Sequence, residues 1–297
     1  MIKKQIHLIS RRKFINTVMF TSAGVALTSA CASTRWGIGC FTRPWSNFDY
    51  RVAFDSMAEV GYKFAGLMTS DEGMLITPET KPEIAAAIGE EAKLRDLKIA
   101  SVYGRNFDVR QSIDEGVAGL ERLIDNTAAC GSPNLLLGGV SDYDIVDDYY
   151  KVIAECCDYA ADRGVGISLK PHGGTNADGP ECRMRIEYVG HWNFTLWYDP
   201  GNIYFYSNGE LDPVDDVSEV DGLVTGMCVK DFRMPRNVNI TPGTGMVDFH
   251  RVLTLLKKGG FTQGPLIVET LSPGDGSLDY INAEAKKARQ FLEKLTN

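Results

Sequence analysis

Gly166-Ile-Ser-Leu-Lys170-Pro171-His172, Phe194-Thr-Leu-Trp197-Tyr198-Asp199, Met227-Cys228-Val-Lys230-Asp231 and Pro265-Leu-Ile-Val-Glu269 share one plan: an apolar run that stops on a charged residue. A short apolar run bounded by Gly or Pro is the pattern of a strand buried on both faces, as in a parallel sheet. A charge is costly within such a core but cheap at the rim where the strand emerges. Four such ends, separated by helix-length segments, describe the mouth of a parallel barrel, with a site built from the residues just beyond the strands.

Working outward from these stretches, the pattern supplies eight strand-helix units. Strands are expected at Trp36–Cys40, Phe64–Met68, Ile99–Tyr103, Asn134–Leu137, Gly166–Lys170, Phe194–Tyr198, Gly222–Lys230 and Leu266–Glu269. Helices are expected at Tyr50–Val60, Pro78–Leu97, Ser112–Ala129, Ile145–Arg163, Pro180–Val189, Phe249–Lys258 and Asp279–Lys294. Between the sixth and seventh strands, Asp212–Asp216 promises only a turn or two. Gly61, Gly131, Gly164 and Gly260 stand where helices end, and Pro78, Pro82 and Pro180 where first turns tolerate proline. Alternation of this kind is an α/β signature, and the fold class expected is a single-domain (β/α)8 TIM barrel over residues 33–297.

Residues 1–32 read as an address rather than as fold. Ser10-Arg11-Arg12-Lys13-Phe14 is a twin-arginine signature, followed by an uncharged stretch to Ala30 and the small-residue run Thr28-Ser-Ala-Cys31-Ala32. The protein is therefore expected to be exported, periplasmic after cleavage or membrane-anchored through lipid on Cys31. Thr28 stands where a lipidation motif prefers Leu. Five of the 31 Lys/Arg lie in this leader with no acids, which leaves 26 bases against 39 acids, a formal net charge of −13. Such a surface repels phosphate backbones, so nucleic-acid partners are not expected. The seven cysteines follow no zinc or disulfide spacing, and no stretch beyond the leader reaches membrane-spanning length.

With its strand ends on the page, the second half resembles the sugar phosphate isomerase/epimerase group of the xylose isomerase-like barrels. The stretches that carry the resemblance are Leu169-Lys170-Pro171-His172-Gly173-Gly174, Trp197-Tyr198-Asp199-Pro200-Gly201-Asn202, Val229-Lys230-Asp231, Gly243-Thr-Gly-Met-Val-Asp-Phe249 and Gly260-Phe261 through Glu269. The resemblance implies a small-molecule carbohydrate as partner and one divalent metal held by Glu, Asp, His and Glu at four strand ends. Asp199 and Glu269 match that set. Lys170 stands at the first Glu position, and Cys228 at the His position. Two resolutions are open: the Lys170 ammonium replaces the ion, or a divalent metal persists on His172, Asp199 and Glu269.

Proton transfer beside a carbonyl is the chemistry expected of this set, with Glu269 as the first candidate base, Lys170 as the second, and His172 assisting or ligating. Arg105, just past the third strand, Trp197, Asn202 and Lys230 are candidate substrate contacts. Trp45, Tyr103, Trp197 and Tyr198 together suggest a sugar-stacking wall, and Arg43 follows the first strand. Lys230-Asp231 reads equally as a substrate contact or as an ion pair locking the seventh strand. Gly243-Thr244-Gly245 reads as a glycine turn, with an anion cradle as the alternative. The expected function is an isomerase or epimerase acting on a sugar or an oxidised sugar. The alternatives are a keto-glycoside lyase or hydratase on the same barrel, or a non-catalytic sugar-binding exported protein.

Overall fold

A computed structural model describes residues 35–104 and 107–297. The leader and its Cys31 lie outside the described residues. So does Arg105.

Eight parallel strands close into a barrel. In chain order the strands are β1 (Trp36–Phe41), β2 (Phe64–Leu67), β3 (Thr69–Ser70), β4 (Gly73–Met74), β5 (Lys98–Tyr103), β6 (Asn134–Leu137), β7 (Gly166–Leu169), β8 (Phe194–Tyr198), β9 (Val224–Val229) and β10 (Gly264–Val268). The barrel runs β1-β10-β9-β8-β7-β6-β5-β2 and returns to β1, while β3 and β4 form a small antiparallel hairpin on the loop after β2. The helices are α1 (Tyr50–Glu59), α2 (Pro82–Lys93), α3 (Ile113–Ala129), α4 (Val146–Asp162), α5 (Gly179–Val189), α6 (Pro200–Tyr206), α7 (Pro213–Asp216), α8 (Phe249–Lys258) and α9 (Leu278–Thr296). Short 3-10 turns cover Arg43–Trp45 and Val217–Val220. No helix among the described residues is long and apolar enough to cross a membrane.

The (β/α)8 barrel expected from sequence is present, with three local differences. Helix α2 starts at Pro82 rather than Pro78. The preceding residues make a turn in which Thr80 Oγ1 accepts from the Thr77 amide at 2.9 Å, and Asn126 Nδ2 donates to both Thr77 and Thr80 carbonyls. Helix α6 was not expected, because Asp199-Pro-Gly-Asn202 carries turn chemistry. Here Asp199 serves instead as the helix cap, accepting from the Asn202 amide at 3.0 Å, with Pro200 in the first turn. The β3–β4 hairpin is too short to leave a periodic trace.

Inside the barrel, side chains stack in layers, as alternation along each strand requires. Toward the N-terminal ends lies a polar ladder across five strands. Asn134 donates to Ser101 Oγ at 2.9 Å and accepts from Ser168 Oγ at 2.6 Å, and the chain continues through Thr195 and Thr225 at 3.1 and 2.8 Å. Above it Phe41, Met68, Ala100, Leu136, Trp197, Cys228 and Ile267 fill the lumen. Next along the same strands come the charged ends. The alternate side chains, such as Leu135, Ile167, Leu169, Leu196 and Val229, pack outward in the large cluster beneath the helices.

Candidate active site

Lys170, Asp199, Lys230 and Glu269 each occupy the position immediately after a strand, following β7, β8, β9 and β10 respectively. The strand register brings all four together. The Lys170 ammonium lies 2.5 Å from Glu269 Oε2 and 3.4 Å from Asp199 Oδ2. The Lys230 ammonium lies 2.7 Å from Glu269 Oε1 and 3.2 Å from Asp199 Oδ2, and donates to Asn202 Oδ1 at 3.0 Å. All four side chains are buried. Arg43, from the turn after β1, adds a third cation at 2.7 Å from Glu269 Oε1, its side chain 38% exposed.

Local structure makes this packing possible. A Cβ on Gly201 would sit 2.7 Å from Lys230 Cγ and from its carbonyl oxygen, so glycine there lets α6 lie against the end of β9. Asn202 is buried, donating to the Pro171 carbonyl at 2.7 Å while accepting from Lys230. It therefore braces the β7 and β9 ends instead of presenting an amide to substrate. Asp231 faces away from the site. Its carboxylate accepts from the amides of Phe232, Gly243, Gly245 and Val247, so the Gly243-Thr244-Gly245 turn has those amides occupied and is no anion cradle. Lys230 and Asp231 thus have separate tasks.

His172 sits on the loop after β7, where its amide donates to the Asn176 carbonyl at 3.0 Å. Its ring lies between Tyr103, whose hydroxyl is 3.5 Å from Nε2, and Tyr206 of α6, at a centroid distance of 5.6 Å. Gly173 has φ +79°, and a Cβ there would strike the Tyr206 ring at 2.5 Å. Tyr206 was missed in the sequence because α6 itself was missed.

Charge tuning follows from this geometry. Burial works against the Lys170 ammonium, but Glu269 and Asp199 outweigh it and hold the lysine well above its ordinary range. That removes Lys170 as a general base. Burial likewise works against the Glu269 carboxylate, yet Lys170, Lys230 and Arg43 hold it well below the usual carboxylate range. His172 is lowered to about 3, first by burial and then by the two lysines, so it is a neutral imidazole at pH 7. Burial pushes the Cys228 thiol well up.

Asp199, Cys228 and Glu269 place ligand-type atoms within 4.8 Å of one another, and His172 is not one of the group. The triad of His172, Asp199 and Glu269 expected for a metal is therefore replaced by one containing Cys228. That set does not fit a divalent ion. Glu269 Oε1 is taken by Arg43 and Lys230, Oε2 by Lys170, Asp199 Oδ1 by the Asn202 amide and Oδ2 by both lysines. The Lys170 and Lys230 ammonium groups each contact both carboxylates.

Two cavities open onto this cluster and share Arg43, Ser46 and Glu269. One, of about 480 Å³, reaches Met68, Thr69, Ser70, Met74, Tyr103 and His172, so the β3–β4 hairpin forms part of its wall. The other, of about 230 Å³, runs along Asn239 and residues 270–273. Trp197 is not in either lining. It is 2% exposed within the barrel interior, with Gly226 making room for its indole, so the stacking face expected of it is spent on packing. Trp45 and Tyr198 are also buried, hydrogen-bonded to Asn282 and to Asp216. Tyr103 alone of the expected aromatic wall lines a cavity.

A family model described as xylose isomerase-like TIM barrel matches residues 54–295. The chain belongs to that family. Among solved structures, this xylose isomerase-like barrel is similar to a xylose isomerase domain protein from Planctomyces limnophilus at 20% identity and a TM-score of 0.68, covering 88% of this chain and 97% of the other. It is similar to a D-psicose 3-epimerase studied with D-fructose at 15% identity and a TM-score of 0.69, covering 88% and 99%. An L-ribulose 3-epimerase follows at 15% identity and a TM-score of 0.66, covering 87% and 94%. At these identities the likeness is one of fold. A search of curated proteins finds no match.

Proposed function

We propose that this protein is a carbohydrate isomerase or epimerase that transfers a proton beside a carbonyl without a metal. One observation carries the reading: a permanently charged lysine, an ionised glutamate and a neutral histidine meet at the C-terminal rim of a barrel of this family. Lys170 lies between Glu269 and the face of Tyr103, 5.2 Å from the ring centroid, and both neighbours line the larger cavity. With a hydroxy-carbonyl substrate there, Glu269 takes the proton from the carbon beside the carbonyl. The electron pair moves onto the carbonyl oxygen, where the Lys170 charge stabilises the enediolate. His172, neutral and next to the Tyr103 hydroxyl, carries a proton between the two adjacent oxygens. Glu269 then returns its proton to the neighbouring carbon for isomerisation.

The weak basicity of Glu269 in the resting site is offset as the reaction proceeds. Negative charge on the enediolate cancels part of the field of Lys170 and Lys230, and the proton affinities of Glu269 and His172 rise together. The export suggested by the twin-arginine segment fits a free or oxidised sugar better than a cytoplasmic sugar phosphate.

The engagement of every carboxylate oxygen favours a second reading, a non-catalytic sugar-binding barrel. Incubation with ketoses, aldoses and keto-glycosides in deuterated water separates the two. Deuterium at the carbon beside the carbonyl, abolished by Glu269→Gln, supports the enzyme. Binding without exchange overturns it in favour of the binding protein.

A further inference from the structure

The charged cluster does not balance. Lys170, Lys230 and Arg43 supply three positive charges, and Asp199 and Glu269 supply two negative ones, which leaves one excess positive charge at the floor of the two cavities. The next acid in sequence, Asp231, spends both oxygens on four backbone amides of the neighbouring loop. Each cation has a carboxylate partner, yet the net positive charge at this partly desolvated rim favours a ligand that brings the opposite sign. All this lies in a chain whose sequence from residue 33 onward is strongly acidic.

Two further features indicate where the missing anion belongs. Arg43 lines both cavities, and among the described residues its side chain has only Glu269 as a hydrogen-bond partner, through Nη1. Nε and Nη2 have no hydrogen-bond partner among the described residues, and that edge of the guanidinium can donate two parallel hydrogen bonds to a carboxylate. Thr69, another residue of the larger cavity's wall, has a buried Oγ1 without a hydrogen-bond partner.

We propose that the substrate is a sugar acid: a carbohydrate bearing one carboxylate, held by the free edge of Arg43 where the two cavities meet. This rests on the carbohydrate reading above and narrows it. A single negative charge matches a single excess positive charge. A phosphate would bring more charge than the cluster lacks, and a neutral sugar would bring none.

The test is calorimetric titration of the full chain with gluconate, glucuronate, glucose and glucose 6-phosphate, at low and at high salt. A carboxylate partnered by a charged donor is expected to gain about tenfold or more in affinity over neutral glucose. That gain should shrink at high salt, disappear in Arg43→Gln and survive in part in Arg43→Lys. Both variants are checked for native thermal unfolding, because Arg43 also partners the buried Glu269 carboxylate. Equal affinity for glucose and the sugar acids, tighter binding of the phosphate, or a preference unchanged in Arg43→Gln each overturns the proposal. Deuterium exchange keeps it separate from the proton-transfer reading. Sugar-acid binding without exchange overturns that reading alone, and exchange into neutral sugars without a preference for acids overturns this one alone.

Discussion

The excess charge predicts an asymmetry that runs against ordinary expectation for ion pairs. Glu269→Gln removes a carboxylate with three cationic partners, at 2.5 Å from Lys170, 2.7 Å from Lys230 and 2.7 Å from Arg43. It leaves three cations and one carboxylate, Asp199, which touches only the two lysines. Breaking a buried pair from one side costs about 3–5 kcal/mol, and the upper part of that range is expected here. Lys170→Met removes an ammonium with two partners and leaves two cations facing two carboxylates. Its lost charged hydrogen bonds are offset by the restored balance, so a cost of about 1–3 kcal/mol is expected. For a domain of this size each kcal/mol moves the melting temperature by about 2–4 °C, so the two variants should separate clearly in a thermal scan and in urea unfolding. The double variant should cost less than the two singles together, because the groups touch. If Lys170→Met proves the more damaging of the two, the charge count is wrong and the sugar-acid argument falls with it.

Two other outcomes follow from the same coordinates. Asp231→Asn should destabilise by about 2–3 kcal/mol, because a charged acceptor serving four amides becomes a neutral one. Hydrogen exchange should then quicken at Gly243, Gly245 and Val247, with the barrel strands unaffected. Stability should fall as the pH drops from 6.5 toward 3. His172 binds a proton at 6.5 when unfolded and only near 3 when folded, so the unfolded state takes up more protons across that window. Glu269, lowered in the folded state, adds loss of the same sign below its ordinary value of 4.5. A urea series across this range should show the decline, and His172→Gln should flatten its upper part.

The parts of the fold legible in sequence are those where burial leaves a periodic or abrupt trace. Continuous apolar runs such as Leu266–Val268 marked both faces of β10 as covered, and the charge after each run marked the rim to within one residue. Helix α6 escaped because its signal, Asp199-Pro-Gly-Asn202, is equally that of a turn, and only the tertiary position of Lys230 against Gly201 decides between them. Trp197 was legible as a buried-strand residue but not by its face; alternation allowed either of Trp197 and Tyr198 inward, and inward here means into packing rather than into a cavity. The convergence of Lys170, Asp199, Lys230 and Glu269 follows from register alone, whereas their mutual saturation does not. No spacing rule announces that two lysines will sit where three ligand-type side chains gather.

The stacked interior has a consequence for what this protein can handle. With Trp197, Leu136, Ile267 and Phe41 plugging the lumen above a hydroxyl ladder, the barrel is a vessel with one opening. Whatever reaches Glu269 must come across the C-terminal face, through the two cavities that share Arg43, and never along the barrel axis.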